Sequence, residues 1–308
     1  MKKIFVLGSF VYDLVTSMNR FPEAKESVVG TKFETFPGGK GANQCIAIKR
    51  LNGNVTINGK VGNDDFGHRF IELFKNENID TKNIYFSKES TGIGCVQIDK
   101  SGQNRICIVL GANYDFNKED LAIESLKECD IFLTQFEMRK EISEYGIKIA
   151  KDNGLITVVN PAPAREISDD IFKYIDYITP NEKEIEILSG VKVDDIDDAF
   201  KASEIILKKG VKNVICTLGD KGVTFLNNSM QIYVPSYKVD PIDTVAAGDS
   251  FNGAFCVALA NGYDIKKALK FSNAMGALTT LKKGAIPSLR KYNEVIEFIN
   301  EYDKKSEA

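Results

Sequence analysis

The chain has 308 residues, of which 43% are hydrophobic, and its formal net charge is -3 at pH 7. This length and apolar content allow one large α/β core, alone or with a small appendage. The weak negative charge argues against a nucleic-acid-binding surface, and no apolar run has the length of a transmembrane helix. We therefore expect neither a nucleic acid nor a membrane as a partner.

The cysteines and the single histidine exclude several kinds of catalytic site. No two of the six cysteines have the C-x-x-C spacing of a zinc site. Zinc sites built on several histidines are excluded because His68 is the one histidine, and we interpret it as a surface residue. The apolar stretch within the first eight residues is too short, and is interrupted too early, for a signal peptide. These features predict a cytoplasmic protein with reduced thiols.

The N-terminal part predicts one buried strand and a small separate sheet. Residues 3–7 form an apolar strand that ends at Gly8. No helical pattern follows before residue 36, residues 27–36 alternate in part like a half-exposed strand, and residues 65–76 are helix-like. Residues 92–98 and 104–109 are extended segments joined by hairpin chemistry at Asp99-Lys100-Ser101-Gly102. We expect the regions of about 10–36 and 92–110 to pair as a small antiparallel β lid on a single catalytic domain of residues 1–308.

A glycine-rich segment, GGKGAN, follows at residues 38–43 and precedes a predicted helix over residues 44–51. Its glycines place bare backbone at a helix N-terminus, beside Lys40 and Asn43. The alternative interpretation is a glycine turn with a solvated lysine, because such a turn alone is a weak signal.

Strands and helices alternate from residue 131 onward. Strands at 131–134, 155–159, 177–179 and 214–217 are almost continuously apolar, which predicts a doubly wound, mostly parallel sheet with helices on both faces. Parallel sheets of this kind bind ligands at the carboxyl ends of their strands. Each strand is followed there by polar residues, which would also suit ordinary turns and helix caps.

Residues 243–253, DTVAAGDSFNG, precede an apolar run of small residues that predicts a buried helix. The helix begins close to Gly248 and Asp249, so unpaired N–H groups and the helix dipole make an anion site there. Asp249 is either an ordinary helix cap or a base that takes a proton from a hydroxyl attacking a phosphoryl group. No G-x-x-x-x-G-K-[ST] loop occurs and no G-x-G-x-x-G follows the first strand, which argues against P-loop and dinucleotide enzymes.

With these segments, the chain resembles the ribokinase, or phosphofructokinase-B type, family of carbohydrate kinases from about Ile4 to about Ser288. The resemblance rests on GGKGAN, on DTVAAGDSFNG, and on three linking phrases in the same order, NPAPARE at 160–166, TPNE at 179–182 and TLGDKG at 217–222. It implies the doubly wound fold with its lid, a homodimer through that lid, and ATP-dependent phosphorylation of a small-molecule sugar.

The resemblance also implies roles for individual residues. Asp249 would be the catalytic base, beside an anion hole of Ala246, Ala247 and Gly248. The sugar-binding positions would be Val11, Tyr12, Asp13, Gly39, Lys40, Gly41, Ala42, Asn43, Glu137 and Asp249. The nucleotide positions would be Asn181, Glu184, Thr217, Leu218, Gly219, Asp220, Lys221, Gly222, Gly248 and Asn273, with Asn181 and Glu184 associated with Mg²⁺ and phosphate. A monovalent-cation site, for K⁺, would comprise Asp243, Val245, Thr279, Lys282, Gly284 and Ser288.

One position departs from the family's pattern. Val11 stands where bacterial members often have asparagine, and valine offers no hydrogen bond to a sugar hydroxyl. The resemblance implies a kinase that makes ribose 5-phosphate from D-ribose, and Val11 leaves a 2-deoxyribose or nucleoside kinase of the same family as the alternative. A regulator that binds sugar or nucleotide without catalysis is the third interpretation, which the presence of Asp249 beside an intact anion hole disfavours.

Overall fold

The computed structural model describes residues 1–306, and side chains up to residue 304. Its strands are β1 (Lys3–Leu7), β2 (Val11–Ser17), β3 (Lys32–Gly38), β4 (Asn54–Gly62), β5 (Ile84–Ser87), β6 (Gly92–Ile98), β7 (Asn104–Val109), β8 (Ile131–Thr134), β9 (Ile156–Val159), β10 (Tyr177–Ile178), β11 (Asn213–Thr217), β12 (Val223–Leu226) and β13 (Gln231–Val234). Its α-helices are α1 (Lys40–Arg50), α2 (Asp65–Asn76), α3 (Ile123–Lys127), α4 (Lys140–Asp152), α5 (Glu182–Ser189), α6 (Ile196–Lys208), α7 (Ala247–Ala260), α8 (Ile265–Thr279), α9 (Ala285–Ser288) and α10 (Tyr292–Ser306).

Nine strands form the main sheet, in the order β13-β12-β11-β10-β9-β8-β1-β4-β5. The pairings from β11 through to β5 are parallel, and β12 and β13 add an antiparallel edge. The chain starts at β1 in the interior of the sheet and builds outward on both sides of it. Such a switch in direction leaves a crevice at the carboxyl ends of the central strands.

The main sheet has an apolar core on each face. Ile4 and Val6 of β1 belong to a cluster with α1, α7 and α8, whereas Phe5 and Leu7 belong to a second cluster with α4, α5 and α6. Successive strand residues point to opposite faces, so this division means that helices cover both sides. The predicted doubly wound α/β class is confirmed.

A second sheet of four strands has the order β3-β2-β6-β7. The two outer pairings are antiparallel, and the central pairing of β2 with β6 is parallel. The predicted small sheet is thus present, with one parallel pair at its centre. Within residues 1–306 no helix is long and apolar enough to span a membrane.

Two element starts differ from the sequence-based prediction by more than one residue. Helix α1 begins at Lys40, before the predicted residue 44, because Gly39 at a φ of 86° turns the chain and the Ala42 N–H donates to the Ser9 carbonyl at 3.0 Å. A positive φ is open to glycine at little cost. Strand β3 begins at Lys32, later than the extended pattern from residue 27 indicated.

Candidate active site

The N-terminus of α7 opens into a cavity at the carboxyl ends of the main-sheet strands. Its cap residue, Ala246, has a left-handed backbone with φ 62° and ψ 8°, and its carbonyl accepts the first helical bond from the Ser250 N–H at 2.8 Å. A left-handed alanine costs about 1–2 kcal/mol. Strain of this kind concentrates at functional sites. A Cβ at Gly248 would meet nothing within 4 Å, so the first turn of the helix presents open backbone.

The carboxylate of Asp249 is buried and held by two side-chain amides. Asn43 Nδ2 donates to Asp249 Oδ2 at 2.8 Å, and Gln44 Nε2 donates to Asp249 Oδ1 at 2.9 Å. Both donors lie in the first turns of α1. That helix packs closely on α7, because a Cβ at Gly253 would lie 2.7 Å from the Cβ of Ala47. The two amides therefore set the direction in which the carboxylate faces the cavity.

A chain of amides continues behind Asp249. Gln44 Nε2 also lies 3.0 Å from Asn160 Oδ1, and Gln135 Nε2 donates to Gln44 Oε1 at 2.5 Å. Gln135 follows β8 and Asn160 follows β9, so both are polar residues at strand ends. Functional residues were predicted in this region from the sequence, but Gln44 was missed as a partner of Asp249, and Asn160 as a partner of Gln44. The position of Gln135 and Asn160 at strand ends was the available signal, whereas Gln44 on α1 gave none.

The cavity has a volume of about 200 Å³. Seven of the residues predicted from sequence line it, and they come from the sugar, phosphoryl and nucleotide positions. The full lining comprises Lys40, Asn160, Ala162, Thr179, Asn181, Glu184, Thr217, Thr244, Ala246, Gly248, Asp249 and Asn252. Asn252 stabilises the start of α7, since its Nδ2 donates to the Gly248 carbonyl at 2.8 Å while its Oδ1 accepts from Thr179.

The ammonium group of Lys40 supplies positive charge to this cavity. Burial opposes that charge, but the nearby carboxylates of Asp249, Glu137 and Glu184 outweigh the burial and raise the pKa of Lys40. Lys40 therefore stays protonated at neutral pH. A cation and a helix N-terminus on the same cavity suit a phosphate group.

Asn181 and Glu184 form a capping box at the start of α5. The Asn181 N–H donates to Glu184 Oε2 at 2.9 Å, and the Glu184 N–H donates to Asn181 Oδ1 at 2.9 Å. Burial raises the pKa of Glu184 above its ordinary value. The helix-cap interpretation is thus present in the structure, and the same side chains also line the cavity.

Asp13 of β2 lies beside Gly38, the first residue of the glycine-rich segment. Gly38 and Gly94 flank it, since ideal Cβ atoms there would lie 3.1 Å and 2.5 Å from its carboxylate oxygens. Burial, and then the charge of Glu137, raise the pKa of Asp13 to about 6. Val11 lies on the same face of the strand, because its Cγ1 is 3.8 Å from that Cβ position at Gly94.

Two further polar groups are relevant to sugar binding. Asn43 Oδ1 is buried and has no hydrogen-bond partner among the described residues, so it can accept a bond from a ligand hydroxyl. Glu137 Oε2 accepts from Ser9 Oγ at 2.6 Å and from the Lys40 N–H at 2.8 Å, so it holds the glycine-rich segment. Ser9 was not among the site residues predicted from the sequence.

Three other predicted sugar positions have packing contacts. The Tyr12 ring stacks on Phe66 with centroids 4.6 Å apart, on the face of β2 away from Asp13. Ala42 is fully buried in the core. A Cβ at Gly41 would lie 2.4 Å from the Cα of Gly8, so glycine is required there for close backbone packing. Gly39 turns the chain into α1.

The residues predicted to contact the nucleotide, at 217–222 and at Asn273, lie near the end of β13. Leu218 is buried in the core, and a short 3-10 turn spans Gly219–Lys221, with Asp220 exposed. A Cβ at Gly222, whose φ is 114°, would lie 2.2 Å from the Val234 carbonyl oxygen. Asn273 Nδ2 approaches the same carbonyl at 3.4 Å, and Thr217 forms a bridge with Asn181. Gly222 and Asn273 therefore meet at Val234, and of these residues only Thr217 and its bridge partner Asn181 line the cavity.

The predicted cation residues flank the loop that leads into α7. Asp243 Oδ1 accepts from the Val245 N–H at 3.0 Å, and its Oδ2 accepts from the Gly284 N–H at 2.9 Å. The carboxylate of Asp243 thereby joins the loop before α7 to the loop before α9. The Lys282 N–H reaches the Thr279 carbonyl at 3.4 Å, and Ser288 is buried at the end of α9. Among the side chains that the structure describes, up to residue 304, no group of three or more His, Cys, Asp or Glu could hold a metal.

A buried carboxylate and the open backbone of a helix start meet in this cavity, at the strand ends of a doubly wound sheet, and this arrangement suits phosphoryl transfer. The chain belongs to the pfkB family of carbohydrate kinases, whose model matches residues 1–291. It is 38% identical to a ribokinase of Haemophilus influenzae, over 97% of this chain and 98% of that one. It is 34% identical to a deoxyribokinase of Salmonella typhimurium, over 95% and 98% of the two chains.

The fold is also shared with a solved structure. A ribokinase of Arabidopsis thaliana, complexed with ribose and ATP, superposes with a TM-score of 0.91 at 28% identity, over 97% of this chain and 98% of that one. The predicted family and enzyme class are confirmed.

Proposed function

We propose that the protein transfers the γ-phosphoryl group of ATP to the 5-hydroxyl of D-ribose, giving ribose 5-phosphate and ADP. The observation that carries this proposal is Asp249, buried and oriented by Asn43 and Gln44 in the first turn of α7. A carboxylate at this place can accept a hydroxyl proton while the helix start holds the phosphoryl group. Relatives named ribokinases, and one complexed with ribose and ATP, support the assignment.

The reaction is carried by positioning and charge. The Asp249 carboxylate takes the proton of the attacking 5-hydroxyl, whose oxygen forms the new bond to phosphorus as the bond to the ADP oxygen breaks. Charge on the transferring group is stabilised by the N–H groups of Ala246 and Gly248 and by the Lys40 ammonium. The Ala247 N–H donates to the Thr244 carbonyl at 3.3 Å in the free protein, so it would have to give up that bond to join them. Asn181, Thr217, the 218–222 turn and Asn273 would contact the nucleotide.

The cavity lining also fits magnesium. Carboxylate and amide oxygens are ligands that Mg²⁺ prefers, and Glu184 and Asn181 bring both to the cavity that would hold the phosphates. Bound there with ATP, Mg²⁺ would neutralise phosphate charge. The contribution of the chain is to hold both side chains in place through the capping box.

The segments around Asp243 fit a monovalent cation such as K⁺, bound mainly by backbone carbonyls of Val245, Thr279, Lys282 and Gly284, with Ser288 nearby. Oxygen donors with a single carboxylate suit a hard cation of low charge. Because Asp243 already joins the loops that begin at 243 and 280, a cation there would brace the Ala246 turn.

The sugar would lie between Asp13 and Asp249, with Asn43 Oδ1 as an additional acceptor. Val11 beside Asp13 is apolar, and a site without a polar group loses little when a hydroxyl is missing from the ligand. We therefore expect 2-deoxyribose to be discriminated against by only about 1–2 kcal/mol, the scale of one net hydrogen bond. The deoxyribokinase relative keeps 2-deoxyribose as the second candidate substrate.

A coupled kinase assay over pentoses, hexoses and nucleosides tests the substrate, with Asp249→Asn as the control for contaminating kinases. Val11→Asn should widen the kcat/KM ratio of ribose to 2-deoxyribose, whereas Val11→Ala should not. If the wild-type ratio already exceeds about 10⁴, the level of a dedicated polar site, Val11 does not face the sugar. A nucleoside as the best substrate would refute the proposal.

A homodimer through the small sheet is also proposed. Val15, Val96 and Ile106 lie opposite one another across β2, β6 and β7, on the face that carries Asp13. Ile106 is 56% exposed and its neighbour on that face, Ile108, is 49% exposed. A second copy covering this apolar row would also cover the sugar site. Ile106→Glu should then give a monomer by analytical ultracentrifugation; an unchanged dimer would exclude this interface.

We also propose a cytoplasmic location. The six cysteines are free in the part of the chain that the structure describes, which suits a reducing compartment. Fractionation of the source cells, with antibody detection of the native protein, tests this location.

A further inference from the structure

Two cysteines outside the kinase site lie side by side on the small sheet. Cys95 and Cys107 are exposed, whereas Cys45, Cys129, Cys216 and Cys256 are buried. In the antiparallel pairing of β6 with β7, Cys95 lies directly opposite Cys107. Side chains of directly opposite residues project from the same face of a sheet. The two accessible thiols are therefore neighbours.

The thiol pair is on the face away from the sugar site. Gly94 is in register with Asp13 of β2, and Cys95 is in register with Leu14. Because successive residues of a strand point to opposite faces, the thiols project from the side of the sheet opposite Asp13. A second copy bound over the Asp13 face would leave both thiols open to solvent.

The spacing of the pair allows a disulfide bond with some strain. The Asp99 N–H donates to the Gln103 carbonyl at 3.0 Å, so these residues are a hydrogen-bonded pair. Such pairs alternate along the ladder, which makes Cys95 and Cys107, four positions further, hydrogen-bonded as well. Their Cα atoms are then about 5.5 Å apart, and disulfides span about 4.4–6.8 Å.

The distance between the two Cβ atoms determines how strained this disulfide would be. Opposite residues have Cβ atoms about 4.5–5.5 Å apart, and a disulfide needs about 3.5–4.5 Å. The strands must therefore approach by about 1 Å at this point to close the bridge. Strained and exposed disulfides are the more easily reduced ones.

We propose that Cys95 and Cys107 are a reversible redox site that closes to a disulfide on reaction with a small disulfide such as oxidised glutathione. One cysteine thiolate attacks a glutathione sulfur, and the glutathione S–S bond breaks to release one glutathione thiolate. The second cysteine thiolate then attacks the protein sulfur and expels the other glutathione. The two protons lost by the cysteines end on the two glutathione thiolates, so the protein loses two electrons and glutathione disulfide gains them.

The bridge would act on the sugar site through Gly94. This residue precedes Cys95, and its backbone is so close to Asp13 that a Cβ there would lie 2.5 Å from the carboxylate. Drawing β6 toward β7 therefore moves the wall of the Asp13 pocket. This second part of the proposal rests on the proposed function, whereas formation of the bridge does not.

Intact-mass measurement in glutathione buffers of increasing oxidised fraction tests the bridge. We expect the wild-type protein to lose two hydrogens without gaining glutathione, with the two cysteine peptides linked within one chain and released by dithiothreitol. Cys95→Ser and Cys107→Ser should each retain one glutathione instead, because no second thiol expels it. Two stable glutathione adducts on the wild type, or a link between two chains, would overturn the site.

The kinetic readout tests the coupling to the sugar site. Oxidised wild type should show a sugar KM raised at least fivefold, toward the roughly 10²-fold that a 1 Å misplacement can cost. The double variant Cys95→Ser/Cys107→Ser should keep its KM in the same buffers. An oxidised wild type whose KM stays within about twofold, well below that scale, would overturn the coupling while leaving the bridge established by mass.

Discussion

Replacing Asp13 by asparagine should stabilise the protein at neutral pH and remove sugar binding. The folded-state pKa of Asp13 is about 6, above the ordinary 3.8, because burial and Glu137 disfavour its charge. A group with a raised folded pKa contributes stability that is full below the ordinary pKa and is lost as pH rises through the folded pKa. The difference between these two pKa values corresponds to about 3 kcal/mol of lost unfolding free energy at pH 8 and roughly half of that at pH 5.

Urea unfolding of wild type and Asp13→Asn at pH 8 and pH 5, without sugar, measures this difference. The variant should be more stable by about 2–3 kcal/mol at pH 8 and by about half as much at pH 5. A suitable control is Asp176→Asn. Burial also opposes the Asp176 charge, but bonds from Lys151 and Lys212 outweigh it and lower its pKa, so that variant should be destabilised. An Asp13→Asn variant no more stable than wild type at pH 8 would refute the assigned cost of the buried charge.

Three further predictions concern turnover. Asp249→Asn should retain the fold and sugar binding but lose about 10²–10⁴-fold in kcat, as removal of a general base does; turnover within about threefold of wild type, far below that range, would mean that Asp249 is not the base. Gln44→Met removes one of the two amide donors to Asp249, worth about 1.5–3 kcal/mol for a charged partner, so kcat should fall about 10- to 100-fold while exposed Gln231→Met leaves it unchanged; equal rates in the two variants would exclude a positioning role. Activity should require Mg²⁺ and be higher in K⁺ than in Na⁺; equal rates in K⁺, Na⁺ and a bulky organic cation would contradict the cation site.

Local sequence signals predicted the elements whose ends are marked by turn or cap residues. The hairpin strands at 92–98 and 104–109 have those bounds in the structure, because Asp99 and Gly102 determine the turn between them. Helix α2 spans the predicted residues 65–76, and the Asp64 side chain caps it by accepting from the Gly67 N–H. Where a turn or cap residue marks the end of an element, the bounds predicted from the sequence agree with the structure.

Long-range contacts account for what the sequence pattern missed. The parallel pairing of β2 with β6 joins residues far apart in the chain, and no local signal distinguishes it from an antiparallel one. Gln44 was interpreted as an ordinary helix residue, although it lies 2.9 Å from Asp249, which is 205 residues away in the chain. Such a role depends on how α1 packs against α7, and only the folded structure shows it.

The two carboxylates of the candidate site, Asp249 and Asp13, have different surroundings, and each environment suits a different role. Asp249 receives two amide donors, so its direction is determined before any ligand arrives. Asp13 is surrounded by glycine backbone and has a raised pKa, so its charge is poorly compensated in the free protein. A hydroxyl that donates to Asp13 recovers part of the cost of burying that charge. Sugar binding is thereby favoured by a group that weakens the empty fold, while the base is held in place at all times.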